Sequence, residues 1–285
     1  MTDLEALREH GPLPGQWPVG TYLRVERWAP SPLDGDGKPT RLRSRVPVDP
    51  HLLDEAGGLH AGALLTVIDS VGGYLAGLAV QPSGIVTTSM TLRMGRRRHV
   101  GPLLCEASIL RKGRASVVVL VSVTDEGHDD AAVASCLMTC AVLVRETPDP
   151  TFERPVHHPM APPEPEPVSL VEFFGVQPGS GPVTCLEIGN YLRNTWGILH
   201  GGAIALLADL AAVRAVRFDA GSVEGSLSAT DMVLHYLAPA RIGPVEARCT
   251  VMGTRPDARV VRVAMHDTGV EDRMIALASV TVSPG

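Results

Sequence analysis

Two acidic residues occupy matching places in the chain, each nine positions after a histidine. His60 precedes Asp69, and His200 precedes Asp209. Both acids interrupt long apolar runs, where an unpaired carboxylate is costly to bury. A carboxylate retained in such surroundings is a candidate general base or nucleophile. The alternative is a helix carboxylate that neighbouring hydroxyl groups satisfy.

Two glycines, Gly201 and Gly202, stand where the second apolar run begins. The first N–H groups of a helix have no partner within it, and the helix dipole adds partial positive charge there. Without side chains, these residues let another group approach the backbone closely. They are therefore candidates for binding a negatively charged group or a charge that develops during a reaction. A tight turn into the helix is the structural alternative.

The two stretches belong to an internal repeat. Residues 57–69 and 197–209 align at an offset of 140. Further matches, at offsets of 140 and 142, join residues 88–92, 100–102 and 106–107 to residues 230–234, 242–244 and 246–247. Such a period is a domain length, since solenoid repeats span roughly 20–50 residues. The sequence therefore predicts a duplicated domain.

A proline-rich stretch separates the two copies. Residues 147–167 contain eight prolines, a composition that disfavours helices and sheet interiors and is typical of an extended linker. We predict an N-terminal tail over residues 1–20, a first domain over 21–146, a linker over 147–168 and a second domain over 169–285.

Both copies show the same predicted order of elements: a short strand, a loop with glycine, a long apolar helix and four strands. The second helix is apolar around nearly its whole circumference, which predicts burial on most sides. An antiparallel sheet wrapped around one helix satisfies this, so each domain is predicted to be α+β. The helices are predicted over 60–80 and 200–218, and the strands over 85–94, 103–111, 115–124, 131–144, 227–237, 245–252, 259–266 and 274–282.

Composition excludes several classes of protein. A net charge of −6 argues against nucleic-acid binding, which needs a broad basic surface. The five cysteines are scattered and form no Cys-x-x-Cys pair, so we expect free thiols in a reducing cytoplasm and no metal ion or cofactor.

The charged N-terminus is not expected to be a signal peptide. Asp69 interrupts the apolar run 60–80, so this run is not expected to cross a membrane.

The second copy carries the most specific motif. The segment Asn194-Thr-Trp-Gly-Ile-Leu-His-Gly-Gly202, followed by Asp209 on an apolar helix, resembles the signature of hotdog-fold acyl-CoA thioesterases, nearest to the phenylacetate-pathway and 4-hydroxybenzoyl-CoA group. Residues 231–243 are also similar to that family's second strand and turn. The resemblance covers both copies and implies two hotdog domains packed as an intrachain pseudo-dimer. It implies hydrolysis of an acyl-CoA to the free acid and coenzyme A.

In this family the active sites form where two hotdog subunits meet. The resemblance therefore implies a first composite site, in which Asn194, His200 and Gly201 of the second domain meet Asp69 of the first. Thr87, on the strand after the first helix, adds a hydroxyl group from the side of the acid. Asp69 would activate water or attack directly to give an anhydride, and both routes remain open. His200 and Asn194 would bind the substrate or attacking water, or only hold the loop.

A second composite site would join Asp54, His60 and Ala61 to Asp209. Here Asp54 stands in place of the family's Asn, Ala61 in place of its Gly, and Ala229 in place of the hydroxyl residue. All departures from the pattern thus fall on one site. We expect the first site to be active and the second to be degenerate.

Further residues are candidates for binding the substrate. Arginine suits the phosphates of coenzyme A, which would enter as part of the substrate. The predicted substrate-binding residues are Gly202, Trp196, Thr88, Arg96, Arg97 and Arg98. The alternative for the arginines is a solvated surface.

Two other functions fit part of the pattern. A non-catalytic acyl-CoA-binding protein could keep this fold, although the complete first site argues against it. A hotdog enoyl-CoA hydratase or dehydratase would need a different arrangement of histidine and acid, which the sequence lacks. Because hotdog dimers often pair again, we expect two tandem chains to form a homodimer.

Overall fold

A continuous antiparallel sheet wraps around two long helices. The computed structural model describes residues 19–28, 33–55, 57–95, 99–144, 168–194, 196–220, 225–254 and 257–284. Over these residues the sheet has twelve strands. The proposed linker, apart from Val168, lies outside the described residues, as do Arg96, Arg97 and Arg98. The limits of the linker therefore remain a prediction.

Each domain contributes six strands and one long helix. The long helices are Ala61–Val80 in domain 1 and Gly201–Ala220 in domain 2. Domain 1 supplies β1 (Glu26–Arg27), β2 (Arg41–Val46), β3 (Gly84–Met94), β4 (Leu103–Lys112), β5 (Ser116–Asp125) and β6 (Ala131–Leu143). Domain 2 supplies β7 (Val176–Pro178), β8 (Thr184–Leu186), β9 (Leu227–Tyr236), β10 (Val245–Thr254), β11 (Arg259–Asp267) and β12 (Arg273–Pro284).

The strand order reveals an internal pseudo-twofold axis. The strands lie in the order β1-β2-β4-β5-β6-β3-β9-β12-β11-β10-β8-β7, so each half repeats the same sequence of strands outward from the centre. At the junction, Thr91 of β3 pairs with Val233 of β9. These two residues are counterparts at the offset of 142. The predicted fold, two hotdog domains packed as an intrachain pseudo-dimer, is confirmed.

The two long helices form the core beneath the sheet. Helix Ala61–Val80 is long and apolar enough to cross a membrane by length and composition alone, but 78% of its most apolar window is buried inside the protein. It packs against β3 and β4 of its own domain, and the helix of domain 2 packs against β10 and β11. The prediction that helix Gly201–Ala220 is buried on most sides is confirmed, because its residues 203–209 are all buried.

The first turns of the two helices cross at close range. A Cβ atom on Gly62 would lie 2.4 Å from the Cα of Leu206, and one on Gly202 would lie 2.4 Å from the Cγ2 of Thr66. Glycine at both positions therefore permits the crossing. Thr66 Oγ1 lies 2.7 Å from the carbonyl oxygen of Gly62 and 3.0 Å from that of Gly202, which links the helices. As a result, each helix begins beside the middle of the other.

Two short helices were not predicted from the sequence. Val19–Tyr22 begins ahead of the predicted first domain, and Leu170–Phe173 is its counterpart in domain 2. The rings of Tyr22 and Phe173 stack at a centroid distance of 3.7 Å, which adds a contact between the two domains. Helices of one turn are too short for apolar periodicity to be detected.

Candidate active site

Asp69 lies in the third turn of the domain 1 helix, where the helix of domain 2 begins. Its side chain is 9% exposed. Thr87 Oγ1 donates a hydrogen bond of 2.8 Å to Asp69 Oδ1. Thr87 precedes an irregularity in the pairing of β3 with β6. The predicted contact between the acid and a hydroxyl group from the following strand is thus present.

His200 of domain 2 stands next to this carboxylate. Its Nδ1 lies 3.6 Å from Asp69 Oδ2 and accepts a 3.0 Å hydrogen bond from the backbone N–H of Gly202. A neutral imidazole in this arrangement carries its proton on Nε2. The histidine therefore holds the start of the helix. The Gly202 amide, which we expected to face the substrate, donates to His200 within the protein.

Gly201 makes the closest approach to the acid. A Cβ atom at this position would lie 2.7 Å from Asp69 Oδ2 and 3.2 Å from the phenolic oxygen of Tyr236. Its N–H group belongs to the first turn of the helix, where no partner within the helix exists. Within the described residues we find no hydrogen bond from this N–H group. The Gly201 N–H group can therefore donate to a group bound in the cleft.

Tyr236, at the end of β9, was not predicted as a site residue. Its hydroxyl group donates a 2.8 Å hydrogen bond to the carbonyl oxygen of Gly201. Burial raises the pKa of this phenol well above its usual range, and the charge of Asp69 raises it further. It therefore acts as a neutral donor that fixes the Gly201 peptide. The repeat could have drawn attention to Tyr236, because its counterpart at the offset of 142 is Met94 and the two copies therefore differ at this position.

Asn194 organises the loop before the helix. Its Oδ1 accepts hydrogen bonds from the backbone N–H groups of Trp196 (2.9 Å) and Ile198 (3.4 Å). Gly197 closes the same turn with a positive φ of 70°. An Asn side chain that bonds backbone two residues ahead shapes a turn. Asn194 therefore holds the loop, which is one of the two roles expected for it.

These residues line one cleft between the domains, with a volume of about 690 Å³. The wall from domain 1 is largely apolar. Thr88 lines the cleft, but its hydroxyl group donates to the carbonyl oxygen of Thr139 at 3.0 Å. Of the predicted site residues, the lining includes Asp69, Thr87, Thr88, Asn194, Trp196, His200 and Gly201.

Comparison with protein families agrees with this geometry. The family model for the thioesterase superfamily matches residues 56–132 and 197–272, together more than half of the chain. The chain belongs to the thioesterase superfamily. Each matched segment contains one long helix and the loop before it, so the thioesterase carries the family's unit twice. A search of curated proteins gave no match.

Several solved structures share the architecture of this thioesterase. The tesB protein of Mycobacterium avium subsp. paratuberculosis is 12% identical, with 86% of this chain and 93% of that one covered, at a TM-score of 0.57. The 12:0-ACP thioesterase from Umbellularia californica is also 12% identical, with 86% and 94% covered and a TM-score of 0.57. An acyl-ACP thioesterase from Bacteroides thetaiotaomicron is 10% identical, with 85% and 98% covered and a TM-score of 0.55. At these identities the likeness shows the fold alone.

The thioesterase has a second cleft around Asp209, at the pseudo-symmetric position. Asp209 is only 1% exposed, and its Oδ2 accepts a 2.9 Å hydrogen bond from the backbone N–H of Gly62. His60 Nδ1 lies 3.4 Å from the same oxygen. Burial acts to lower the pKa of His60, but the hydrogen bond and charge of Asp209 outweigh it, so the pKa is raised. The carboxylate is held within the protein from two sides.

The other residues of this second cleft are also engaged internally. Asp54 Oδ1 accepts a 2.9 Å hydrogen bond from the N–H of Gly58, and Asp54 Oδ2 accepts one from the hydroxyl group of Ser228. Arg217 forms a two-pronged ion pair with Glu55 of the other domain. The volume of this cleft, about 810 Å³, is comparable with that of the first, so size does not distinguish them.

Buried cysteines lie near the first site. Cys140 pairs with Thr87 across β3 and β6. Burial raises the pKa of the Cys140 and Cys136 thiols to about 12, which makes them poor nucleophiles at neutral pH. Among the residues that the structure describes, no group of three or more His, Cys, Asp or Glu side chains is placed to hold a metal ion.

Proposed function

We propose that this thioesterase hydrolyses acyl-CoA thioesters at the first cleft, with Asp69 as its base or nucleophile. The observation that carries the proposal is the position of the Asp69 carboxylate, from domain 1, beside Gly201 at the start of the domain 2 helix. A proton acceptor and an oxyanion donor thus flank one point in the cleft. Acyl transfer needs this pair.

Two routes use these groups. In the first, Asp69 takes a proton from water while the water oxygen attacks the acyl carbon. In the second, a carboxylate oxygen of Asp69 attacks the acyl carbon, and water then hydrolyses the resulting anhydride. In both, the carbonyl oxygen becomes an oxyanion that accepts the Gly201 N–H, favoured by the helix dipole. Its collapse breaks the C–S bond, and the coenzyme A thiolate leaves and is protonated.

The surroundings of Asp69 suit either role. The Thr87 hydroxyl group fixes one carboxylate oxygen, which leaves the other directed to the Gly201 side. Tyr236 orients the Gly201 peptide through its carbonyl oxygen. We also propose a reducing cytoplasm as the site of action, because all five cysteines are free thiols.

Thiol release from a panel of acyl-CoAs, followed with a thiol-reactive dye, tests the proposal. We expect release by the purified protein and its loss in Asp69→Ala. Binding of acyl-CoA without release would instead indicate a non-catalytic binding protein. Hydration of an enoyl-CoA in the same panel would indicate a hydratase. A melting temperature close to that of the unchanged protein shows that the variant is folded.

A single-turnover reaction in H₂¹⁸O separates the two routes. With enzyme in excess over substrate, the water route places ¹⁸O in the acid product during the first turnover. The anhydride route, when water attacks the carbonyl carbon of Asp69, places an unlabelled carboxylate oxygen of Asp69 in the product and ¹⁸O in the enzyme, so label in the enzyme identifies this route. Mass spectrometry of the peptide that contains Asp69 reads the outcome.

A further inference from the structure

Three arginines line the first cleft. Arg27 lies in β1 of domain 1, while Arg193 and Arg241 come from the loop before the domain 2 helix and the segment after β9. Among the described residues that line this cleft, Asp69 is the one carboxylate. The cleft therefore carries an excess of positive charge, although the whole chain has a net charge of −6.

None of these three guanidinium groups is paired with a carboxylate in the part of the chain that the structure describes. Arg193 donates to the carbonyl oxygens of Gly197 (2.7 Å) and Arg241 (3.0 Å). The guanidinium group of Arg27 lies over the ring of Tyr74, 5.0 Å from its centroid. The Arg241 side chain is exposed. An arginine whose charge is not offset favours an anionic ligand.

The second cleft shows the opposite balance. Its lining has three carboxylates, Asp54, Glu55 and Asp209, against Arg214 and Arg217. Arg217 is already paired with Glu55, and Arg214 donates to the carbonyl oxygen of Gly181. At the repeat offsets of 140 and 142, Leu53 replaces Arg193 and His99 replaces Arg241. The two copies thus differ in charge as well as in their catalytic groups, and an anionic substrate would favour the first cleft.

We infer that Arg27 and Arg241 bind the phosphate groups of the substrate's carrier, while Arg193 holds the loop beside them. This inference rests on the proposed function and assigns the part of the substrate that the acid and oxyanion donor do not contact. Coenzyme A carries a pyrophosphate and a 3′-phosphate, and a carrier protein presents its acyl group on a phosphopantetheine arm with one phosphate. Arginine binds such groups through paired N–H donors at short range.

Thioesters with and without phosphate test the inference. The same acyl group is offered as a coenzyme A thioester, as a 4′-phosphopantetheine thioester and as an N-acetylcysteamine thioester, which lacks phosphate. In Arg27→Gln/Arg241→Gln we expect KM for acyl-CoA to rise by about tenfold or more while kcat changes little. KM for the N-acetylcysteamine thioester should stay unchanged. An equal rise for both, or no rise for acyl-CoA, overturns the inference.

Two further variants separate charge from loop structure. Arg193→Lys keeps the positive charge but loses the planar group that spans two carbonyl oxygens, so it should lower kcat for all three substrates. Arg262→Gln, on the exposed side of β11, is the matched control and should change neither constant. The 4′-phosphopantetheine thioester distinguishes the carriers. If Arg27→Gln/Arg241→Gln raises KM for this thioester, the arginines bind the phosphate that both carriers share. If KM rises for acyl-CoA alone, they bind the nucleotide phosphates.

Binding of free coenzyme A separates this inference from the proposed function. Calorimetry needs no turnover, so it reports on the phosphate site even if no thioester is hydrolysed. About tenfold weaker binding in Arg27→Gln/Arg241→Gln supports the inference. Equal binding by the variant and the unchanged protein, or no binding by either, overturns it. Absence of hydrolysis with retained, arginine-dependent binding would contradict the proposed function alone.

Discussion

The two clefts are built from the same elements, yet their acids are held differently. Asp69 accepts a hydrogen bond from the Thr87 hydroxyl group and remains 9% exposed, whereas Asp209 accepts one from the backbone N–H of Gly62 and is 1% exposed. A carboxylate that a backbone N–H group holds and that solvent hardly reaches is less available for a reaction than one that stays partly exposed to a cleft. We therefore propose that one copy of the site serves the structure while the other serves chemistry.

The residues around the two acids also differ between the copies of the repeat. Gly201 and Tyr236 of the first cleft correspond to Ala61 and Met94 in the second. Thr87 corresponds to Ala229. The second cleft thus has a methyl group where the first has Gly201, and it has no counterpart of the phenol that holds the Gly201 peptide or of the hydroxyl group that donates to Asp69. The predictions below test whether these differences decide activity.

Replacing each acid in turn should separate the clefts most strongly. Asp69→Asn removes the base or nucleophile, so we expect kcat to fall by about 10²–10⁴-fold. Asp209→Asn should keep more than half of the activity, since an amide oxygen can still accept the Gly62 N–H. Steady-state thiol release measures both. A larger loss in Asp209→Asn than in Asp69→Asn would reverse the assignment of the active site.

Adding one methyl group at Gly201 should have the next largest effect. In Gly201→Ala the new Cβ atom would lie 2.7 Å from Asp69 Oδ2, so the carboxylate must move. A displacement of about 1 Å at the reacting groups can cost about 10²-fold in kcat. The reverse change, Ala61→Gly, should add no activity in the Asp69→Asn background, because Asp209 stays bound to Gly62. Activity regained there would show that Ala61 alone disables the second cleft.

Tyr236→Phe tests the support of the oxyanion donor. It removes the 2.8 Å hydrogen bond to the Gly201 carbonyl oxygen and leaves the ring in place. We expect kcat to fall about threefold to tenfold, the cost of one neutral hydrogen bond, while KM changes little. Met94→Leu at the equivalent position is the control and should not alter kcat. An equal change in kcat and KM would point to a general loss of structure instead.

The sequence predicted the fold well because apolar periodicity and the repeat are strong, local signals. Helix Ala61–Val80 was placed to within one residue, and the eight strands after the two helices to within two. The joining of Asp69 to Gly201 came from family resemblance and agrees with the geometry. Apolar periodicity and family motifs can be detected because their residues lie within one stretch of the chain, and the repeat can be detected because such a stretch occurs twice.

Contacts between distant, unrelated residues could not be predicted. The bond from Tyr236 to Gly201 depends on where β9 ends relative to the helix. The capture of the Gly202 amide by His200 depends on one side-chain orientation. Asp54 and Ser228 meet only because the domains pack together, 174 residues apart in sequence. None of these contacts leaves a periodic pattern in the sequence.

Two structural aspartates should show equal stability effects and unequal effects on activity. Asp267 accepts backbone N–H groups from Arg241 (2.7 Å), Ile242 (3.1 Å) and Gly243 (2.8 Å), and Asp125 holds the equivalent turn of domain 1. Asp267→Asn and Asp125→Asn should each lower the free energy of unfolding by about 2 kcal/mol. Only Asp267→Asn should also raise KM, because residues 237–241 line the first cleft.

Asp267 and Asp125 should also make the free energy of unfolding depend on pH. Burial acts to raise the pKa of Asp267, but its backbone hydrogen bonds outweigh this and lower it, and the same holds for Asp125. Because the folded pKa lies below the unfolded value of about 3.9, the stabilisation is present above that pH and is lost as pH falls further. Urea unfolding between about pH 2 and 5 should show this slope below about pH 4, and each Asn variant should reduce it.

Titration of His60 gives the smallest and most local test of the comparison. Its pKa is raised in the folded protein, so its contribution to stability is complete below the unfolded value of about 6.5 and is lost as pH rises through the folded value. NMR of the imidazole resonances should place its midpoint above 6.5. Asp209→Asn should lower this midpoint, whereas Asp69→Asn, in the other cleft, should not. A midpoint that follows Asp69 instead would mean that the two acids are coupled through the crossing helices and that the clefts do not act independently.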